Sequence, residues 1–404
     1  MANRQTERLR EDAKRTLEGS AISCIPLSER GDPEGRLRGD GTLRLHQQTS
    51  SLLGAARENS RIHLGKDQGI ERRTWPVFVV GCHRSGTNLL YDMLLSAGGF
   101  ALYRGYLPVY KTLIPRFGKL SKLENRKRMI ETWLQSKGFR RSGLDPNQLA
   151  AKLLDECSSG GDFLRIVMGE IARSQGASRW AVYDPDNVLR IPAIKADIPQ
   201  ALFVHMVRDG RDIALSLRKM GGFQPLPWDR RSRSLQATAL YWEWMVRTGQ
   251  RYGRVIPADY IEVHYEELVT EPHRVLERLG QFLDHDLDCE RIQNAGLGRL
   301  SESNSSFRDE ERDAAQNPVE RWKERLSPSE VAALEALVGD CLQDLGYELS
   351  TPQNERQPGL RERWMQSVYP GFLNTKLWLK TSTPIGRLAS LSELELVSPT
   401  DSEA

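Results

Sequence analysis

The stretch that most restricts this chain is Gly81-Cys82-His83-Arg84-Ser85-Gly86-Thr87-Asn88. It follows Val77-Phe78-Val79-Val80, a β-branched and aromatic run that reads as a buried strand. It precedes Leu89-Leu90-Tyr91-Asp92-Met93-Leu94-Leu95, which is apolar at helical spacing. Two glycines five residues apart between a strand and a helix permit a tight turn that points backbone N–H groups and a helix start at one anion. Loops that hold nucleoside triphosphates place Lys and then Ser or Thr after the second glycine, the lysine for the β- and γ-phosphates and the hydroxyl for magnesium. Here those places hold Thr87 and Asn88. The cradle therefore suits an anion with no γ-phosphate and no magnesium, and Arg84 within the loop offers the cation.

The same pattern recurs. Residues 201–207 read as a strand, Arg208-Asp209-Gly210-Arg211-Asp212 as a polar turn, and residues 213–220 as a helix. Further strands are predicted at Trp180-Ala181-Val182-Tyr183 and at residues 260–265, and helices over 147–156, 162–173, 237–251, 272–283 and 328–345. Ser327 caps the last of these and Gly346 ends it. Strands alternating with helices imply an α/β fold: a central, mainly parallel sheet with helices on both faces, of the P-loop-containing nucleotide-binding type. In such sheets ligands bind at the carboxyl ends of the strands, where both polar loops fall. Residues 75–349 form the α/β domain in this reading. Residues 1–74 are a polar, mobile arm, and residues 350–404 a tail whose last part, 392–404, is loose.

Composition excludes several classes. The formal net charge is only +3, with acids interleaved among the basic residues, so nucleic acid is not an expected partner. Cys24, Cys82, Cys157, Cys289 and Cys341 are scattered, odd in number and without a CxxC pair. That pattern argues against a disulfide framework and a zinc site, and for a reducing compartment. The first residues mix basic side chains with Glu7, Glu11 and Asp12 and have no apolar run, and nowhere do about 18 apolar residues follow one another. A soluble, cytoplasmic protein is the expectation. In the tail, Phe372, Leu373, Leu377, Trp378 and Leu379 with Lys376 and Lys380 form a candidate amphipathic helix, which either docks back on the domain or makes peripheral contact with a membrane surface or partner.

The loop at 81–88 resembles the 5′-phosphosulfate loop of the PAPS-dependent sulfotransferases, where Arg or Lys precedes Ser-Gly-Thr. The likeness is to the bacterial and carbohydrate-type branch more than to the cytosolic aryl type. That family's second element is an Arg at a strand end with a Ser on the following helix; here Arg208 and Ser216 stand eight residues apart. An arginine at the turn and a serine about two helical turns on can reach one phosphate. Tyr265-Glu266-Glu267-Leu268, Arg321-Trp322-Lys323 and Leu345-Gly346-Tyr347 also match, so the resemblance covers residues 75–349. It implies that 3′-phosphoadenosine 5′-phosphosulfate is the co-substrate and that no metal is required. His83, Arg84, Ser85, Gly86, Thr87 and Asn88 would take the 5′-phosphosulfate end, Arg208 and Ser216 the 3′-phosphate, and Tyr265 the adenine. Arg84 would also neutralise the leaving oxygen. In-line sulfuryl transfer to a hydroxyl or amine of a small molecule, lipid or carbohydrate is the implied reaction, by analogy with phosphoryl transfer. The alternatives are a module of the same fold that binds nucleotide without turnover and, further off, a P-loop kinase.

The proton-accepting half departs from the family. Many relatives carry a glutamate past the loop helix, yet residues 98–123 hold no acid. Others carry Lys-Thr-Pro or Lys-Thr-His on the next central strand, where this chain reads Tyr183-Asp184-Pro185-Asp186. The remaining candidates for a base are Asp184, the first choice, then Asp186, His83 and His205. The two aspartates also suit an Asp-Pro turn and a helix cap, and His205 suits a core position. The acceptor pocket is expected in loops between Tyr103 and Asp162 and at residues 223–233.

Overall fold

A computed structural model describes residues 72–220, 234–295, 319–356 and 358–396. The expectations for the N-terminal arm up to residue 71, for the loop at 223–233 and for residues 397–404 lie outside the described residues. Four strands, β1 (Val77–Gly81), β2 (Ala181–Tyr183), β3 (Leu202–Val207) and β4 (Tyr260–His264), form one sheet in the order β2-β1-β3-β4. All three pairings are parallel: Val77 lies beside Ala181 on one side and Leu202 on the other, and Phe203 lies beside Tyr260.

A parallel sheet needs both faces covered, and the strand residues are apolar at successive positions because alternate side chains enter different cores. Phe78, Val80, Val182 and Phe203 point into one core. There they meet helices α3 (Gly160–Ser174), α4 (Gly210–Lys219), α5 (Leu235–Gly253) and α7 (Pro328–Asp344). Val77, Val79, Leu202, Val204 and Met206 point the other way, onto α1 (Thr87–Ser96) and α6 (Pro272–Leu283). Phe78 and Phe203 are fully buried and stack with ring centroids 5.4 Å apart. Burial at such positions contributes about 1.5–3 kcal/mol per side chain. The predicted strands and helices stand within a few residues of their expected bounds, and Ser327 forms a capping box with Glu330.

The segment expected to be loops between Tyr103 and Asp162 is largely helical. It holds a π-helical turn (Val109–Leu113), a short helix (Ile114–Phe117), α2 (Leu123–Leu134) and a further turn of helix (Lys137–Ser142) before the helix Pro146–Glu156, which was expected over 147–156. In α2 only Met129, Ile130 and Trp133 are buried, between charged residues, so the apolar stripe is narrow. In the tail, the candidate amphipathic helix docks back on the domain, one of its two expected courses. Helix α8 (Leu360–Ser382) buries Met365, Tyr369 and Leu373 against the domain, and Trp244 on α5 donates to Asn374 at 2.9 Å. Its outer side leaves Leu360, Trp364, Val368 and Trp378 exposed. Residues 392–396, expected to be loose, are held: Leu394 is buried, Ser136 and Leu396 form an antiparallel bridge, and Lys137 pairs with Glu395 at 2.6 Å.

Helix α5 crosses the sheet closely at Gly249, where a Cβ would lie 2.6 Å from both His205 and Val188. Alanine inside a helix ordinarily gains about 1 kcal/mol over glycine. Here overpacking reverses the sign, so Gly249→Ala is expected to lower the unfolding free energy by about 1–3 kcal/mol, read from the midpoint of a urea titration.

Candidate active site

The site begins where β1 ends. Gly81 pairs with Met206 of β3, so close that a Cβ at Gly81 would stand 2.5 Å from the Met206 carbonyl. The loops that leave β1 and β3 therefore emerge side by side. Within the first, Arg84 has φ +74° and Gly86 φ +94°, and a Cβ on Gly86 would meet the Tyr265 ring at 2.5 Å. Ser85 is fully buried, and its hydroxyl and amide both donate to the Cys82 carbonyl, at 2.7 and 3.2 Å. Its hydroxyl proton thus braces the loop from inside. Helix α1 starts at Thr87 with Gly86 as its N-cap and no side-chain cap, leaving N–H groups at the helix start to another acceptor. By contrast, α3, α5 and α7 are each capped by a serine hydroxyl.

The second loop brings cations to that opening. Arg84 Nε donates to Ser216 Oγ at 2.9 Å, Arg208 Nη1 donates to the Arg84 carbonyl at 3.2 Å, and the Arg208 guanidinium lies 4.3 Å from the Tyr265 ring centroid. Arg321 acts electrostatically on both Arg84 and Tyr265. Burial, then Arg208 and Arg321, hold the Arg84 pKa below its ordinary value. A cation so placed gains from a bound anion.

The polar turn Arg208-Asp209-Gly210-Arg211-Asp212 assembles this arrangement. Asp212 accepts from the amides of Glu320 and Trp322, at 3.1 and 2.9 Å, which fixes the turn that carries Arg321, and it pairs with Arg208 at 3.5 Å. Burial pushes Asp212 up to about 6 despite Arg208. Arg211 is buried between Asp209 and Glu335, 3.8 Å from the Trp322 ring centroid. The Asp209 amide donates to Glu266, which also accepts from Tyr347 at 2.9 Å. The matching elements around 265, 321 and 347 are therefore parts of one polar network around the two loops.

A second cluster stands at the end of β2. Asp184 is 2% exposed, caps the following turn by accepting from the Asp186 amide, and accepts from Tyr106 at 3.3 Å. Asp186 pairs with His83 at 3.4 Å and with Lys111 at 2.7 Å. Burial and then the Asp186 charge push Asp184 up to about 6, against Lys111 and His83. Burial works the same way on Asp186, but His83 and Lys111 outweigh it and hold that carboxyl well below the usual range. Burial disfavours the His83 imidazolium, yet Asp186 more than compensates and raises its pKa. The structure thus gathers Asp184, Asp186 and His83, and turns the imidazole of His83 toward Asp186. His205 lies apart, fully buried on β3, with Nδ1 2.5 Å from the Tyr260 hydroxyl; that position removes it from the candidates for a base.

Lys111, Tyr106 and Arg321 escaped the sequence reading as members of the site. Lys111 comes from the π-helical turn and brings an ammonium to the end of β2, where it pairs with Asp186. Its Tyr-Lys-Thr surroundings gave no periodic or motif signal. Arg321 stood in a matched element but had no assigned role. Among the described residues no group of three or more His, Cys, Asp or Glu is placed to hold a metal.

The chain belongs to the sulfotransferase family, which it matches over residues 76–288. It is 25% identical over 217 residues to a Caenorhabditis briggsae protein assigned as a protein-tyrosine sulfotransferase, covering 52% of this chain and 65% of that one. The match therefore spans less than two thirds of that relative. Among solved structures, the sulfotransferase domain of a Synechococcus olefin synthase aligns with a TM-score of 0.45 at 20% identity, over 70% of this chain and 98% of that domain. A sulfotransferase from Mycobacterium avium aligns with a TM-score of 0.38 at 17% identity, over 76% and 86%. The parallel sheet and the family match carry the assignment, and no described helix is long and apolar enough to cross a membrane.

Gly86 combines a positive φ with the Tyr265 contact. Gly86→Ala is expected to lower stability by about 1–3 kcal/mol, measured by thermal unfolding, whereas Asn88→Ala on the exposed face of the same helix start leaves the midpoint nearly unchanged.

Proposed function

We propose that the chain transfers a sulfuryl group from 3′-phosphoadenosine 5′-phosphosulfate to a hydroxyl or amine acceptor, with Asp184 as the proton acceptor. The observation that carries the donor half is the meeting of Arg84, Arg208 and Arg321 over the uncapped start of α1. A helix start with free N–H groups and several guanidinium groups fits a nucleotide with phosphate at both ends. In this reading the amides at 86–88 and Arg84 hold the 5′-phosphosulfate, Arg208 and Ser216 the 3′-phosphate, and Tyr265 lies beside the adenine. The donor supplies the sulfuryl group, whose bond to the phosphate oxygen breaks as the bond to the acceptor forms. Arg84 stabilises negative charge at the leaving oxygen.

The acceptor proton passes to Asp184. Its raised pKa brings it nearer neutrality, where a carboxylate is a stronger base than at its ordinary value. Asp186 stays ionised between His83 and Lys111 and so keeps a negative charge beside it. A small molecule, lipid or carbohydrate is the acceptor class. The alternative of a binding module without turnover would follow from the absence of the family's glutamate and lysine. A carboxylate and an ammonium now stand at that strand end, which supports an enzyme.

Calorimetry with 3′-phosphoadenosine 5′-phosphate tests the donor half. Arg84→Ala and Arg208→Ala are each expected to weaken binding about ten- to a hundredfold; no binding by wild type, or unchanged binding by Arg208→Ala, removes the donor assignment. The base is tested by pH. A carboxylate acts only when ionised, so kcat/KM on an accepted substrate should fall about tenfold per pH unit below about 6 and level above it. Asp184→Asn should lose most turnover, and full turnover by that variant would take Asp184 out of the mechanism.

A further inference from the structure

The chain beyond the matched family region returns to the acceptor side. After α8, the carbonyl of Arg387 accepts from Arg116, and Gly386 packs so tightly that a Cβ would meet the Lys380 carbonyl and, at 3.1 Å, that of Pro115. Leu394 then enters the core, and the Lys137 amide donates to the Glu395 carbonyl at 3.2 Å. Between these anchors Glu393 places one carboxylate oxygen 2.7 Å from Lys111 Nζ and accepts from the Thr112 hydroxyl on the other at 3.0 Å. The same ammonium is 2.7 Å from Asp186. One half-buried cation is thus divided between a carboxylate of the site and a carboxylate of the C-terminal segment.

We propose that Glu393 is a positioning residue for sulfuryl transfer: through Lys111, the C-terminal segment sets the charge balance of the Asp184–Asp186 pair. This rests on the reading of Asp184 as the proton acceptor. With Glu393 present, Lys111 is anchored from both sides and only part of its charge serves Asp186 and Asp184. The other groups that act on the pair are Cys82 and His83 from the loop after β1, Tyr106 from the same segment as Lys111, and Tyr183 from β2. Arg190 faces both aspartates from the turn that follows them, Tyr241 does so from α5, and Lys380 of α8 faces Asp186, Lys111 and Glu393. Among them Glu393 is the group whose charge can be removed most cleanly. Its side chain is 37% exposed, and glutamine keeps its size and its acceptor for Thr112.

The direction follows from charge. Glu393→Gln removes one negative charge and leaves Lys111 wholly to the aspartates, so Asp184 should ionise more easily. Lys111→Met removes the cation and should do the reverse. The measurement is a carbon NMR titration of the full chain labelled at the aspartate carboxyl carbon, with the Asp184 signal identified by its loss in Asp184→Asn. The expected result is a wild-type midpoint near 6 that falls by about half to one pH unit in Glu393→Gln, rises in Lys111→Met and returns toward wild type in Glu393→Asp. A wild-type midpoint near 6 that is unmoved or raised in Glu393→Gln, whatever happens to thermal stability, overturns the role of Glu393 and leaves Asp184 as it stands. An ordinary carboxylate midpoint in wild type overturns the reading of Asp184 and this inference with it.

Discussion

The close approach of β1 and β3 at Gly81 and Met206 is the constraint on which the rest of the site depends. Parallel pairing sends the two strands to the same edge, and the missing side chain at Gly81 lets the loops leave without separating. Once they run together, Arg208 can donate to the backbone of Arg84, and Ser216, two turns along α4, can receive Arg84 Nε. Like charges held this near would repel and drift apart in water. They stay because Asp212 and Glu266 secure the backbone of the turn and its neighbours, while Arg211, Asp209 and Glu335 form a buried, mutually satisfied set behind them.

The molecule therefore separates charge across the carboxyl edge of its sheet. Guanidinium groups dominate beside α1, and carboxylates with compensating cations gather at the end of β2. The two environments do different work. Low screening on the first side strengthens attraction for an anion. On the second, burial and the neighbouring charge part the proton affinities of two adjacent aspartates, so that one is held ionised and the other is poised nearer neutrality.

Much of the fold was legible because its signals are local. Val77-Phe78-Val79-Val80 and residues 201–207 are buried on both faces and read as largely apolar runs, α6 carries a clear stripe after a Pro start, and α7 is announced by its serine cap. The nearness of Arg84, Arg208 and Ser216 was legible for a related reason: these residues sit in two short loops and the helix start that follows, whose order along the chain mirrors their place on the sheet. The acceptor side was not. Lys111 and Glu393 lie far from Asp184 in sequence and approach it only through the path of the chain after β1 and after α8, which no local pattern records. The helices between Tyr103 and Asp162 were hidden by charged neighbours, as α2 illustrates with its few buried residues.

His83 belongs to the loop in which the proposed function places the anion, yet its imidazole pairs with Asp186 of the acid pair. The two halves of the proposed active site are then one thermodynamic system. Any ligand whose arrival displaces that imidazole alters the proton affinity of Asp186, and by reciprocity the protonation of Asp186 alters the affinity for that ligand by the same factor. Under the proposed function, occupancy of the donor position would in this way be reported to the acid pair through a single side chain.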